Sequence, residues 1–234
     1  MKIARLLSIL LLLTTTISVA QSDDADTDAK YFVSAFGGLN FSQMHSSGVI
    51  YEDTNFGTGY SLGLQFNVFP DYEFSNFYLR LAGYYSKETS ENNSTFLFQN
   101  QSVATKAAIS FANAELFFAY RFATQTKVDG YIGAGFLFQQ KISKDDDAYT
   151  FIDENGLEFP IFDVENFNAP LAYQTKGPKA ALGPFVEIGA FVPAGNKLLG
   201  VSGGVQYSYF FTNSSGQLKL EKTNLYLRAS YELF

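Results

Sequence analysis

Residues 223–234, TNLYLRASYELF, alternate without a break. Leu225, Leu227, Ala229, Tyr231 and Leu233 fall on one face, and Asn224, Tyr226, Arg228, Ser230 and Glu232 on the other. A repeat of two is the strand period. An arginine at mid-strand on the polar face and an aromatic at the chain end fit a wall with lipid outside and a lumen inside better than a soluble sandwich. The pattern recurs over residues 31–42, 60–68, 77–85, 108–122, 131–142, 179–192 and 199–211. It is cleanest where Tyr60, Leu62, Leu64, Phe66 and Val68 oppose Ser61, Gly63, Gln65 and Asn67. In the fourth stretch Ile109 and Phe111 fall on the parity opposite to Ala114, Leu116 and Phe118, which predicts a bulge or an early extracellular extension there.

The connections between these eight stretches run long, short, long, short, long, short, long: residues 43–59, 71–76, 87–106, 124–129, 143–177, 193–196 and 212–222. Barrels of the outer-membrane type have an even strand number, short periplasmic turns and long extracellular loops. The expected fold is therefore all-β, an eight-stranded antiparallel up-and-down transmembrane barrel with both termini in the periplasm. Stretches of roughly 9–11 residues also match the hydrocarbon thickness when tilted about 45°.

Residues 1–20 carry Lys2 and Arg5, an apolar run from Leu6 to Leu13, and Ser18-Val19-Ala20, a small-x-small site. This reads as a signal peptide cut before Gln21. The alternative, a membrane anchor, requires an apolar run of about 20 residues, and this one is shorter. Residues 21–30 form an acidic periplasmic leader, and residues 31–234 the barrel domain. The composition, 47% hydrophobic and 17% aromatic, supports one sizeable domain. With no cysteine, disulfides, thiolate metal sites and a lipidated N-terminal cysteine are excluded. A formal charge of -7 argues against nucleic acid. Tryptophan is absent, so 15 Tyr and 25 Phe must supply any aromatic girdle.

Sorted by parity, the inward residues include Arg80, Arg121 and Arg228 against Glu115, Glu187 and Glu232, three of each sign. Unpaired charge in a closed lumen is costly, so these are expected to form a structural charge network. Strand adjacency points to Arg80 with Glu115, and similar depth to Glu187 with Arg228. A gate or ion path is the alternative to a packed polar core. An eight-stranded barrel is only wide enough for its own side chains, which favours the core.

With a signal peptide, eight alternating strands, sorted loops and a terminal Tyr231-Glu232-Leu233-Phe234, the chain resembles the small eight-stranded outer-membrane β-barrel proteins. It is OmpA-like and OmpX-like in architecture and similar in texture to the PorT-like group. The resemblance implies that the last strand, through Tyr231, Leu233 and Phe234, is a recognition signal for the barrel-insertion machinery. It also implies roles ranging from wall stabiliser, adhesin and narrow channel to lipid-modifying enzyme, and fold alone does not choose among them.

Candidate chemistry is sparse. His45, the only histidine, lies beside Ser46 and Ser47 in the first long connection, where a lipid-modifying site would need a carboxylate partner. Asp145, Asp146, Asp147, Asp153 and Glu154 lack the spacing of a calcium loop. The aromatic and apolar residues Phe151, Ile152, Phe159, Ile161, Phe162, Phe167 and Leu171 are too many for a purely solvated loop, and suit a cap on the mouth or a partner surface. The glycines at 133, 135, 203 and 204 lack the strand-to-helix context of a nucleotide fingerprint and are expected to make room for aromatic neighbours. The expectation is a non-enzymatic, cofactor-free and metal-free monomer. Its expected partners are outer-membrane lipid, the insertion machinery and an extracellular partner at residues 143–177. A narrow channel or carrier of small hydrophobic molecules is the alternative reading, and a lipid-modifying enzyme a further one.

Overall fold

The computed structural model describes residues 30–47, 52–70, 76–96, 101–123, 128–142, 149–152, 158–160, 180–211 and 219–234. The expected signal peptide, nearly all of the acidic leader and most of residues 143–177 lie outside the described residues. Among those described there is no helix, only strands: β1 (Lys30–Ser47), β2 (Glu52–Asn55), β3 (Gly57–Phe69), β4 (Phe77–Phe96), β5 (Gln101–Ala123), β6 (Asp129–Lys141), β7 (Tyr149–Ile152), β8 (Glu158–Pro160), β9 (Ala180–Ala194), β10 (Lys197–Phe211) and β11 (Lys219–Glu232).

Eight of them, β1, β3, β4, β5, β6, β9, β10 and β11, close into an antiparallel barrel. The seam is β1 against β11, and the chain end is sewn into it. Leu233 donates its backbone N–H to the Val33 carbonyl at 2.7 Å, and Val33 donates to the Phe234 carbonyl at 2.8 Å. Closure fixes the stagger. Following paired residues once round the wall leads from Ala35 to Leu64, Gly83, Ala114, Phe138, Leu182, Tyr209 and Glu221, then back to β1 at His45, ten residues further along. A shear of ten over eight strands, at a rise of ~3.3 Å and a spacing of ~4.8 Å, corresponds to a strand tilt of about 40°.

Parity then decides which solvent each residue meets. Leu62, Leu227 and Phe136 are 58%, 58% and 61% exposed on the outside, whereas Arg80, Glu115 and Glu187 are 1%, 3% and 2% exposed inside. This is the inverse of a water-soluble barrel. Outward tyrosines lie towards both ends of the wall, Tyr31, Tyr120 and Tyr231 with Phe77 near the short turns and the termini, and Tyr60, Tyr85, Tyr207 and Tyr209 near the other end, while Phe118 and Phe136 lie in the belt between.

Three sequence expectations need correction. The polar run 87–106 is strand for most of its length, because β4 and β5 stay paired as far as Phe96 and Gln101. The runs 43–59 and 143–177 also contain strand: β2 pairs with β4, β7 with β5, and β8 with β7. Together these form a sheet in the order β2, β4, β5, β7, β8 that rises beyond the wall. Its sequence lacks the apolar–polar alternation of the wall while the backbone ladder continues. Finally, there is no bulge at Ile109 and Phe111. The β4–β5 register is unbroken, and both residues are fully buried on the lumen side, above the polar core.

One point of the wall depends on a missing side chain. Pro184 has no N–H to give, and the β9–β10 pairing lapses between Phe185↔Gln206 and Leu182↔Tyr209. The strands stay close there only because residue 183 is glycine, since a Cβ would strike the Tyr207 carbonyl oxygen. Gly183→Val should therefore cut the yield of folded barrel on refolding into detergent several-fold, read by the mobility difference between heated and unheated samples on gels. Gly203→Ala is the control, because a Cβ there meets the Leu227 side chain at 3.0 Å and should be tolerated.

Candidate functional site in the lumen

The lumen is filled in layers. Nearest the short turns, Phe32, Phe69, Tyr78, Phe117, Tyr131 and Phe191 form an aromatic floor. Phe69 and Tyr78 are stacked at 5.0 Å, and Phe191 stands edge-on to Tyr78 at 5.5 Å. These residues come from β1, β3, β4, β5, β6 and β9, so the floor ties most of the wall together. Rings in such offset and edge-on contacts contribute about 0.5–1.5 kcal/mol beyond the area they bury.

Above the floor, two arginines and two glutamates share one buried cluster. Arg80 holds Glu187 in a two-pronged pair, with Nη1 to Oε1 at 2.5 Å and Nη2 to Oε2 at 2.8 Å. Arg228 holds Glu115 the same way, at 2.7 and 2.8 Å. The pairs expected from sequence are the weaker cross-contacts, Arg80 to Glu115 at 3.6 Å and Arg228 to Glu187 at 4.0 Å. The exchange has a geometric cause. Arg80 and Glu115 sit diagonally on hairpin neighbours, so their side chains run side by side. A guanidinium meets both oxygens of a carboxylate best when the two approach end-on, and in the lumen that means from another part of the wall.

Each carboxylate is saturated by further donors. Glu187 accepts from the hydroxyls of Tyr131 at 2.9 Å and Tyr226 at 2.7 Å. Glu115 accepts from the Tyr84 hydroxyl at 2.6 Å and from Gln206 Nε2 at 2.9 Å. The guanidinium faces lie against rings, Arg80 over Phe117 at 4.4 Å and Arg228 over Tyr226 at 4.3 Å. Their Nε atoms are the polar atoms of this cluster without a hydrogen-bond partner.

Glycines make this possible. A Cβ at position 189 would come within 2.5 Å of the Tyr131 hydroxyl, and one at 204 within 2.5 Å of the Tyr226 hydroxyl. Of the glycines singled out in the sequence, Gly135 and Gly204 do make room for lumen aromatics, Phe185 and Tyr226. Gly133 instead abuts the β5 backbone, and Gly203 faces Leu227 on the outside.

The expected six-residue network divides. Arg121 stands apart from the central four, with Nε 3.9 Å from Asp129 Oδ2 and its guanidinium 5.3 Å from the Phe69 ring. Glu232 accepts from the Leu198 N–H at 2.9 Å at the turn end. Tyr231, Leu233 and Phe234 all lie on the exposed exterior beside the seam. His45 is in β1, paired across the seam with Glu221.

Sequence reasoning missed a third layer. Lys222 donates to Glu88 Oε2 at 2.6 Å and to Gln139 Oε1 at 2.7 Å, fully buried beneath Phe111, Phe210 and Ile109. Ser86 and Ser42 reach the same glutamate at 3.0 and 3.1 Å. The signal was available. Lys222 continues the inward parity of Asn224, Tyr226 and Arg228, and Glu88 that of Arg80, Tyr84 and Ser86. Both fell in stretches assigned to loops. The layers are linked, since Asn224 joins Ser42 at 3.2 Å to Gln206 at 2.8 Å, and Gln206 joins Glu115.

These features define a closed eight-stranded antiparallel β-barrel, apolar outside, with a lumen filled by compensated charge and aromatic rings. No protein-family model matches the sequence, and no curated protein is similar to it. Among solved structures, neisserial surface protein A is similar at 15% identity over 86% of this chain and 97% of its own, with a TM-score of 0.39. Ail, the attachment invasion locus protein of Yersinia pestis, matches at 13% identity over 87% and 99%, with a TM-score of 0.37. The outer membrane protein AlkL, solved in lipid bilayers, matches at 12% identity over 91% and 94%, with a TM-score of 0.38.

Removing one partner from a buried ion pair typically costs about 3–5 kcal/mol. Glu187→Ala should lower unfolding stability in detergent by that order, measured by denaturant titration. A double-mutant cycle should give a larger coupling for Arg80 with Glu187 than for Arg80 with Glu115.

Proposed function

We propose that this chain is a non-enzymatic protein of a Gram-negative outer membrane, a lipid-embedded barrel with a sealed lumen whose projecting sheet serves surface contact or envelope structure. The observation that carries this reading is the inversion of polarity across the wall. A belt including Leu39, Leu62, Phe118, Phe136, Ile188 and Leu227 faces out, each more than half exposed, while ion pairs are locked inside. Water cannot solvate such a belt without aggregation, whereas acyl chains can. Outward tyrosines towards both ends of the wall suit the two bilayer interfaces.

The sheet formed by β2, β4, β5, β7 and β8 supports an outward-looking role, because it extends the long-connection end well beyond the length a bilayer requires. With the long-connection end outside the cell, both termini lie in the periplasm. The resemblance to the PorT-like group and the insertion signal at Tyr231, Leu233 and Phe234 belong to this same proposal. The filling of each described lumen layer by rings or ion pairs favours it over the channel or carrier reading.

Two measurements test it. The mature chain in planar bilayers should pass no current above the unmodified membrane, and Arg80→Ala should lower stability without creating conductance; a steady ohmic current from the wild type would overturn the sealed-lumen reading. Leu227→Arg, at mid-belt, should destabilise the barrel in lipid vesicles by about 2–4 kcal/mol. A protein that stays monomeric in detergent-free buffer, and that tolerates this arginine, does not belong in a bilayer.

A further inference from the structure

Among the described residues, the outward face of the wall carries two charges towards the long-connection end, Lys87 on β4 and Glu221 on β11. They differ in what they meet. The Glu221 carboxylate is hydrogen-bonded to the Tyr207 hydroxyl. Lys87 is exposed, and no described carboxylate pairs with it, because Glu88, the next residue, turns into the lumen to Lys222.

What surrounds the Lys87 ammonium is a set of hydroxyls. Its ladder partners are Tyr60 on β3 and Ser110 on β5. Two residues nearer the belt on its own strand, Tyr85 holds its hydroxyl 2.9 Å from Ser110 Oγ and is hydrogen-bonded to Tyr60, the two rings lying 6.0 Å apart. Residues directly opposite in an antiparallel ladder have Cβ atoms about 4.5–5.5 Å apart, so these groups fall in one patch across three strands. The height of the patch is also set. At ~3.3 Å per residue and a tilt of about 40°, the ten residues from Phe77 to Lys87 climb about 25 Å, the height of the apolar band in such barrels. Lys87 therefore stands at the level of the lipid headgroups.

We propose, resting on the reading of the chain as a lipid-embedded barrel with its long-connection end outside the cell, that Lys87, Tyr60, Tyr85 and Ser110 form a headgroup site for a phosphorylated glycolipid of the outer leaflet. The ammonium supplies a positive charge to phosphate oxygens, and charge-assisted bonds of this kind are roughly twice as strong as neutral ones. The hydroxyls add selectivity. Each both donates and accepts, so together they bond a phosphate and the hydroxyls of the sugar that bears it, whereas the ammonium alone serves the phosphate of any lipid. Beneath the patch, Gly83, Ala112 and Ala114 face outward between Leu62, Leu64 and Phe138, which leaves a shallow trough for an acyl chain of the same molecule.

The test titrates the mature chain, refolded in detergent micelles, with diphosphorylated lipid A, with the same lipid lacking its phosphates, and with phosphatidylglycerol. Native mass spectrometry reads the fraction of barrels carrying one lipid. Diphosphorylated lipid A should bind tightest. Lys87→Gln should weaken it about five-fold, the worth of one lysine at an anionic lipid surface, and Lys87→Arg should bind as the wild type does. Tyr85→Phe, which keeps the ring and removes the hydroxyl, should weaken it about two-fold. These changes lie on the outward face and should leave the heat-dependent gel shift of the folded barrel in place. Equal binding by wild type and Lys87→Gln, or equal binding of lipid A with and without phosphates, overturns the site, and phosphatidylglycerol bound as tightly as lipid A overturns the choice of a glycolipid. Any of these results leaves the bilayer reading intact, which falls instead if the chain stays monomeric in detergent-free buffer.

Discussion

Two guanidinium groups and two carboxylates occupy a space that water does not reach, and the rest of the barrel is arranged so that they can. Transferring such ions out of water costs several kcal/mol each even after relaxation, and attraction recovers this only when the geometry is close to ideal and every remaining lone pair is used. The two-pronged pairs of Arg80 with Glu187 and Arg228 with Glu115 meet the first condition. Tyr131, Tyr226, Tyr84 and Gln206 meet the second. The tyrosines reach inward because Gly189 and Gly204 leave space for their rings. Glycine in a strand normally weakens it. Here its absent side chain is what lets two tyrosine hydroxyls reach a buried carboxylate.

The energetic roles of the two faces are therefore exchanged relative to a soluble protein. Inside, specificity comes from hydrogen bonds and ion pairs that cross from one part of the wall to another, with the aromatic floor of Phe32, Phe69, Tyr78, Tyr131 and Phe191 beneath them. Outside, Leu62, Leu227 and their neighbours make little contact with protein and contribute through the medium around them. The hydrophobic core of such a chain lies inside the lumen, beside the ion pairs. Its strands are held in register by a closed ladder whose stagger is set once the seam from Ser34↔Glu232 to Ser47↔Lys219 is formed.

How much of this was legible in the sequence follows from the same physics. Parity could be read strand by strand because two different solvents lie on the two sides, so Leu225 and Arg228 announce their faces without any partner being known. Pairing could not. Arg80 and Glu115 are neighbours along the wall, but the contact that matters runs through the lumen to Glu187, and relative depth inside a tilted barrel depends on a shear that no single strand encodes. The projecting halves of β4 and β5 were unreadable for the opposite reason. Ser, Thr and Asn stand on both parities there, and the ladder persists without a hydrophobic signature. Lys222 and Glu88 fell at the border between the two regimes, where inward parity was still present but was masked by polar neighbours.

The linkage between layers bears on whether such a lumen could open. Arg80 cannot leave Glu187 without placing an unpaired guanidinium against Phe117 and an unpaired carboxylate among Tyr131 and Tyr226. Glu115 is bound at once by Arg228, Tyr84 and Gln206, and Gln206 is bound in turn to Asn224 beneath the Lys222–Glu88 pair. Displacing any one side chain therefore exposes a second unsatisfied group, and that group draws on a third. A gate needs two arrangements of nearly equal energy. Displacing Arg80 or Arg228 would leave a buried carboxylate without its two-pronged partner, which sets the two arrangements well apart in energy.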